Sequence, residues 1–489
     1  MRKKSKNYPS IPSKQPAVIP VFFATEMWER FGFYMTQGLL VLYMTSQVFG
    51  FSDTKSYAIL GVFSALAWMM PIFGGYIASR VLDYEHAVTL GGFLLAIGYA
   101  LLSLPHETFF YIALSIIATG TGFFKPSISS FLGDFYQKND PRRENGYTIF
   151  YIGINLGILL STITSGYIVR YFGWHMPFLF ASIGMLVGTV TFVFGLYYLK
   201  NTHNLHRITP SVAHKNPTLI AAAYIAAILL TIISYEIIAH RGFANELMLG
   251  GGGLAFTGLI IYAFRYDSVN RNKLLACIFL AMISIVFWAI YMQMFFSLNL
   301  FIERAVNRHL FQLKLPTPFF ISLESIFLVL VGFYFGHLWQ TLSKKNKNPS
   351  IPFKFVASLF SLFIAFIIVY VGTRTATTGK INMLFIVFAY LFVAIGELLL
   401  SPIGLSMVTI LAPKELVGLM MGVWFVSLGL GEKLAGVIAS YSAIPKKIIL
   451  VSSIDKIYGN AFFLYAMISL VFAVICLICV PFLNRLIKQ

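Results

Sequence analysis

Fourteen predominantly apolar runs, most of them close to a bilayer in length, follow one another from end to end of the chain. About 20 such residues in a helix cross the ~30 Å hydrocarbon core of a membrane. Lipid offers no hydrogen bonds, so each spanning segment must satisfy its own backbone, which leaves helices or closed barrels. A barrel would show short alternating segments, and the runs here do not alternate. The pattern predicts an all-α, multi-pass membrane protein. Only 11% of the residues are charged and 58% are hydrophobic, with a mean hydropathy of +0.79. A water-exposed surface normally needs about 25% charge.

The runs group as six, two and six. Six fall at about 18–46, 57–79, 87–104, 109–133, 146–170 and 174–199, two at 217–238 and 244–265, and six at 273–300, 317–341, 352–372, 380–411, 415–443 and 458–483. This layout predicts an N-terminal bundle over 1–200, a linker with an inserted helix pair over 201–272, and a C-terminal bundle over 273–489. Transporters commonly place their substrate site midway through the membrane, between two such repeats. The linker 201–217 is polar and reads as a crossover. Gly250–Gly253 lacks the strand and the Lys-Ser/Thr of a phosphate loop, and reads as a flexible or kinked helix start.

The net charge of +18 does not indicate nucleic-acid binding, because the basic residues lie in loops between apolar runs and form no single patch. They orient the chain instead. The start carries Arg2, Lys3, Lys4, Lys6 and Lys14. Alternate loops then hold about two basic residues on that side for each one opposite, which predicts that both termini are cytoplasmic. The three cysteines, Cys277, Cys476 and Cys479, lie in apolar segments without metal-ligand spacing and read as small core or lipid-facing residues. No His-rich metal set, nucleophile motif or soluble catalytic domain suggests an enzyme.

Charges within the apolar runs carry the functional signal, since each costs about 2.5–3.5 kcal/mol at the bilayer centre. In the first run Glu26, Glu29 and Arg30 are three and four residues apart and share one side of a helix with Tyr34 and Gln37. One Arg cannot neutralise two carboxylates, so one acid is left to gain or lose a proton at ordinary pH. Lys125 sits mid-segment in Gly120-x-Gly122-x-x-Lys125-Pro126 and needs an acid or an anionic ligand. Glu397, after Gly396, is an unpaired acid in the second bundle that a ligand ammonium would satisfy. Glu324, Glu432 and Lys433 are also intramembrane; neighbours on a helix point apart, so a cross-helix pair such as Glu324 with Lys433 is expected.

These segments together resemble the signature of the proton-dependent oligopeptide transporters, a branch of the major facilitator superfamily. The resemblance rests on Glu26-x-x-Glu29-Arg30-Phe31, on Gly120-x-Gly122-x-x-Lys125-Pro126 with Gly133-Asp134, on Phe150-Tyr151-x-x-Ile154-Asn155-x-Gly157, and on Gly396-Glu397. It covers essentially the whole chain, including the inserted pair. It implies a rocker-switch importer of di- and tripeptides in the bacterial inner membrane, acting as a monomer, with protons as the coupling ion and no other cofactor. By this resemblance Glu397 receives the peptide ammonium and Lys125 helps to hold its carboxylate. Tyr34, Tyr151 and Asn155 bond the peptide backbone. Glu26, Glu29, Arg30 and Lys125 couple proton to peptide, and Gln37, Trp68, Trp288, Thr317 and Trp424 complete the substrate-binding set.

The departures from the family pattern are informative. Many members carry Arg where Gln37 stands and Glu where Met292 stands. Losing both leaves no orphan charge, and the Gln, with Gln293-Met294-x-x-Ser297-Leu298-Asn299, is similar to the bacterial dipeptide and tripeptide permeases. Thr317 replaces a usual Asn and Trp68 a usual Tyr, which is expected to alter side-chain selection. Ser79 stands where the superfamily's cytoplasmic loop carries Asp, and Asp83 is the expected substitute.

Overall fold

The structure, a computed structural model, describes residues 14–137, 140–202, 217–240, 246–375, 380–445 and 451–488. Arg2 to Lys6 and most of the polar linker lie outside these residues. The first bundle consists of α1 (Ile19–Thr45), α2 (Asp53–Ile77), α3 (Tyr84–Leu102), α4 (Glu107–Gly133), α5 (Arg142–Phe172) and α6 (Met176–Thr202). The inserted pair is α7 (Pro217–Ala239) and α8 (Gly251–Ala263). Then come α9 (Ser268–Tyr291), the short α10 (Ser297–Ala305), α11 (Phe319–Lys344), α12 (Ile351–Thr375), α13 (Met383–Leu411), α14 (Val417–Ala439) and α15 (Val451–Lys488).

Among the described residues, twelve helical runs are long and apolar enough to cross a membrane, and Met248–Ala263 is a shorter apolar helix. To these α1 adds a helix of spanning length, 27 residues, interrupted by the charges of its functional stripe. The starts are written locally. Pro20 opens α1, where its missing N–H is not needed. Ser52 caps α2 by accepting from the Lys55 amide at 3.2 Å. Asp267 accepts from the Val269 and Asn270 amides at 3.2 Å each to start α9, and Asn382 accepts from Leu384 at 2.9 Å to start α13.

Two details depart from the sequence reading. The run at 273–300 is not one helix: α9 ends at Tyr291, a 3₁₀ turn spans Met292–Met294, and α10 restarts at Ser297. The glycine run does begin a helix, as expected, but a π-helical turn at Glu246–Gly250 feeds into α8. Asp83 caps α3 through the Tyr84 amide at 2.9 Å, from a left-handed φ of 68° that Asp tolerates better than most residues. Ser79 bonds only its own helix, at the Tyr76 carbonyl. Small strands ornament the far end: β1 (Val306–Asn307) pairs in parallel with β4 (Ile381–Asn382), and β2 (His309–Leu310) forms a hairpin with β3 (Leu313–Lys314).

Packing gathers α1, α5 and α6 on one side of the first bundle and α2, α3 and α4 on the other. In the second half α12 packs on α13 and α15, and α9 on α14. The halves meet along α2 with α14 and α5 with α11. The α2–α14 seam is made by glycines. A methyl group added at Gly436 would stand 2.5 Å from the Tyr57 carbonyl oxygen, and one at Gly61 would stand 3.2 Å from the Gly436 Cα. The inserted pair sits across this seam, with α7 on α2 and α4, and α8 on α9. Gly252 of α8 fits against Leu430 of α14.

Candidate functional site

On α1, Arg30 Nε lies 2.7 Å from Glu26 Oε1 and 3.1 Å from Glu29 Oε2. Glu26 is 1% exposed and Glu29 fully buried, yet Oε2 of Glu26 and both oxygens of Glu29 lack a hydrogen-bond partner. The predicted acid–acid–base stripe is therefore assembled on one helix and is short of donors. Helix α5 closes over it. Gly157 lies so near the Met27 carbonyl that it has no room for a side chain, and a methyl there would stand 2.9 Å from Arg30 Cβ. This gives the Asn155-x-Gly157 spacing a packing reason.

Lys125 on α4 faces two aromatic rings, its Nζ 4.3 Å from the centre of Phe33 and 4.4 Å from that of Trp68. Such contacts stabilise an ammonium by about 0.5–2 kcal/mol and leave its hydrogen-bond donors available. Trp68 also spans the seam: its Nε1 donates to Glu432 Oε1 on α14 at 3.1 Å, and its ring stacks on Phe425 at 6.2 Å and 10°. The glycines of the Lys125 motif make this position possible, since Gly122 rests on the Met70 backbone of α2 and Gly120 on Gly91 of α3.

Glu397 on α13 accepts from the Tyr291 hydroxyl at 2.6 Å. Glu324 of α11 lies beside Glu397 and Tyr291, a neighbourhood the sequence did not indicate. A cleft of about 800 Å³ runs from Glu397 and Tyr151 past Ser401, Gly336 and His337 to Leu405. A neighbouring opening along α5 joins Tyr151 to Thr148, Glu144 and Asp140. Tyr151 is 53% exposed, and Asn155 donates to the Tyr151 carbonyl at 2.9 Å. The cleft thus opens at the end of the molecule where α5 begins and α11 and α13 finish. That end is braced by Arg142, which bonds Asp140 at 2.7 Å and the Lys14 carbonyl at 2.5 Å. The Arg142 hydrogen bond holds the Asp140 carboxyl below its ordinary range.

The opposite end is shut. Arg304 of α10 clamps Asp53 of α2 with two bonds, Nη1 to Oδ2 at 2.6 Å and Nη2 to Oδ1 at 2.8 Å. The Ile444 amide adds a bond to Asp53 at 3.0 Å. Asn299 donates to the Gly38 carbonyl at 2.8 Å. Thr317 lies here and not in the cleft: its hydroxyl donates to Glu303, and it lines a depression with Arg170, Arg304 and Pro318.

The other expected pocket residues divide. Tyr34 sits between the two acid centres, near Arg30, Glu397 and Glu324, with Phe295 6.3 Å away. Gln37 is turned inward to Ser64, its Nε2 donating to the Ser64 hydroxyl at 3.0 Å. Trp424 packs on Gly404 and Phe355 within the second bundle. Trp288 is buried against Tyr291 and Gly431, with its Nε1 unpartnered.

A sequence profile described as the POT family matches residues 85–457. The chain belongs to the POT family. Dipeptide and tripeptide permease B of Salmonella typhimurium is 30% identical to it over 478 residues, which covers 97% of each chain. Dipeptide and tripeptide permease A of an Enterobacter species is 30% identical over 482 residues, covering 97% of this chain and 93% of the permease. The crystal structure of a peptide transporter POT in complex with sulfate superposes with a TM-score of 0.85 at 27% identity, over 98% of both chains. The crystal structure of a mutant form of peptide transporter POT in complex with alafosfalin gives 0.85 at 28% identity, again over 98% of both chains.

Within this POT-family chain, sequence reasoning missed Tyr291, Phe425, and the partnership of Asp53 with Arg304. Tyr291 was adjacent to the noted Met292, and its spacing to Trp288 and Phe287 on one helix was an available signal. Nothing in the sequence points to the Asp53–Arg304 pair, whose members stand 251 residues apart.

Proposed function

We propose that the protein imports di- and tripeptides together with protons across the bacterial inner membrane by alternating access, its two termini on the cytoplasmic side. The observation that carries this reading is a buried base on one half and an acid lining the cleft on the other, Lys125 on the Phe33 and Trp68 rings and Glu397 in the cleft wall. Lys125, held by ring faces on the first half, suits a peptide carboxylate. Glu397, held by a phenol on the second half, suits its ammonium. Tyr151 in the cleft wall, with Tyr34 near Glu397 and Asn155 one turn beyond Tyr151 on α5, would supply backbone partners. The buried Glu26–Arg30–Glu29 group supplies the proton half, because a carboxylate short of donors in a dry site is favoured to take a proton.

The moving bodies are the bundles at 1–200 and 273–489, with 201–272 as an attached strap, and a single chain holds both walls of the site, which supports a monomer as the working unit. The deciding experiment is uptake of labelled dialanine into proteoliposomes. Accumulation should follow an inward proton gradient and collapse when a protonophore is added. Uptake that ignores the gradient would remove proton coupling from the reading, and no uptake of any dipeptide would remove the substrate.

A further inference from the structure

We propose that Glu324 and Glu397 hold one proton between them when the cleft is empty, and that the ammonium of an incoming peptide takes that proton's place. The inference rests on the peptide-transport reading and adds a second protonation site to it.

The site is built by α11 and α13, which pack together along their length. Glu324 is 7% exposed. Its Oε2 accepts only from the adjacent Ser325 hydroxyl, at 3.2 Å, while its Oε1 is buried without a hydrogen-bond partner. The side chain lies against the Glu397 carboxyl and the Tyr291 hydroxyl. A phenol has one hydrogen, and Tyr291 gives it to Glu397 Oε2 at 2.6 Å. Nothing is left to donate to the orphaned oxygen. Titratable groups around the pair include Tyr390 from α13, Tyr34 from α1 and Tyr151 from α5, each a neutral phenol. Arg30, which lies near Tyr34, is engaged by Glu26 and Glu29.

Two adjacent buried carboxylates that share one phenol donor do not both ionise in such a setting; one proton shared between them removes the repulsion and satisfies the bare oxygen. An ammonium brings the same single charge and three donors, so it can bridge both carboxylates. The pair then carries the same net charge filled or empty. The displaced proton leaves through the cleft that reaches Glu397. Since this proton departs as the peptide arrives, it does not travel with it, and the coupling protons are left to the first helix.

The test is calorimetry of dialanine binding to the purified full-length protein in buffers of different ionisation enthalpy, which counts protons exchanged. Glu324→Gln should release about one proton fewer per peptide than wild type, and N-acetyl-dialanine, lacking the ammonium, should show no such difference. Infrared spectra of the unliganded wild-type protein should contain a protonated-carboxyl band that dialanine abolishes and that Glu324→Gln removes. Equal proton counts for wild type and Glu324→Gln, or a band unmoved by dialanine, would overturn the inference. If Glu324→Gln does not fold, the infrared change in wild type alone decides it. Failure of wild type to bind dialanine at all would instead strike the transport reading.

Discussion

The Asp53–Arg304 clamp makes a quantitative prediction about how the carrier divides its time between its two faces. The clamp joins α2 of the first half to α10 of the second across the shut far end. Its two short bonds are charge-assisted, and such bonds contribute about 1.5–3 kcal/mol when buried. Arg304 is 28% exposed in its side chain and Asp53 6%, so solvent screening reduces this to about 1–2 kcal/mol. At 1.36 kcal/mol per tenfold, Asp53→Asn should raise the population open at the far end about 5- to 30-fold. The reporter is Ser46→Cys, placed in the depression beside Arg304, in a background where the half-buried Cys479 is Ala. Its labelling by a membrane-impermeant maleimide should accelerate by that factor. The double variant Asp53→Asn/Arg304→Gln should label no faster than Asp53→Asn alone, because the energy belongs to the pair. Labelling within twofold of the parent in Asp53→Asn would show that the clamp does not set the equilibrium.

Other outcomes follow from the same geometry. Glu397→Gln should weaken competition by free-amino dipeptides by about 2–5 kcal/mol while sparing N-acetylated ones, since it removes the partner of a partly desolvated charge; equal losses for both would refute it. Trp68→Phe leaves Glu432 Oε1 without its donor and should lower stability by about 1–3 kcal/mol, measured as the thermal midpoint in detergent, whereas Trp68→Tyr should shift the profile of competing dipeptides. In proteoliposomes, Glu26→Gln or Glu29→Gln should abolish gradient-driven uptake while leaving counterflow exchange, and full gradient-driven uptake in both variants would contradict the assignment.

Much of the architecture was readable because lipid enforces it: a helix that must satisfy its own backbone needs a long apolar run, and each such run announces a span. The same logic made Glu26, Glu29, Arg30, Lys125 and Glu397 stand out, since charge in an apolar run is costly. The break between α9 and α10 left no trace because Met292 to Phe296 contains no Gly or Pro, and the turn there follows from packing rather than from a breaker residue. Partners of the charges were also hidden. Lys125 suggested an acid or an anionic ligand, and the sequence did not show that the rings of Phe33 and Trp68 hold it; nor did it show that Glu324 lies beside a second acid. Thr317 was placed in the pocket by resemblance, yet it bonds Glu303 at the shut end. Such pairings depend on how α2, α11 and α14 rotate about their axes, which apolar content alone does not specify.

The glycine seam between α2 and α14 has a mechanical consequence. Interlocked large side chains must unmesh before two helices can change their crossing angle, whereas Gly61 and Gly436 set backbone directly against backbone. The contact therefore behaves as a bearing, where tilt can change without separation and without exposing new apolar surface. Resistance to rocking then comes from groups that cross the seam elsewhere, Trp68 with Glu432 and Phe425 and, at the shut end, Asp53 with Arg304, so that the balance between the two faces is tuned there while the pivot itself stays unchanged.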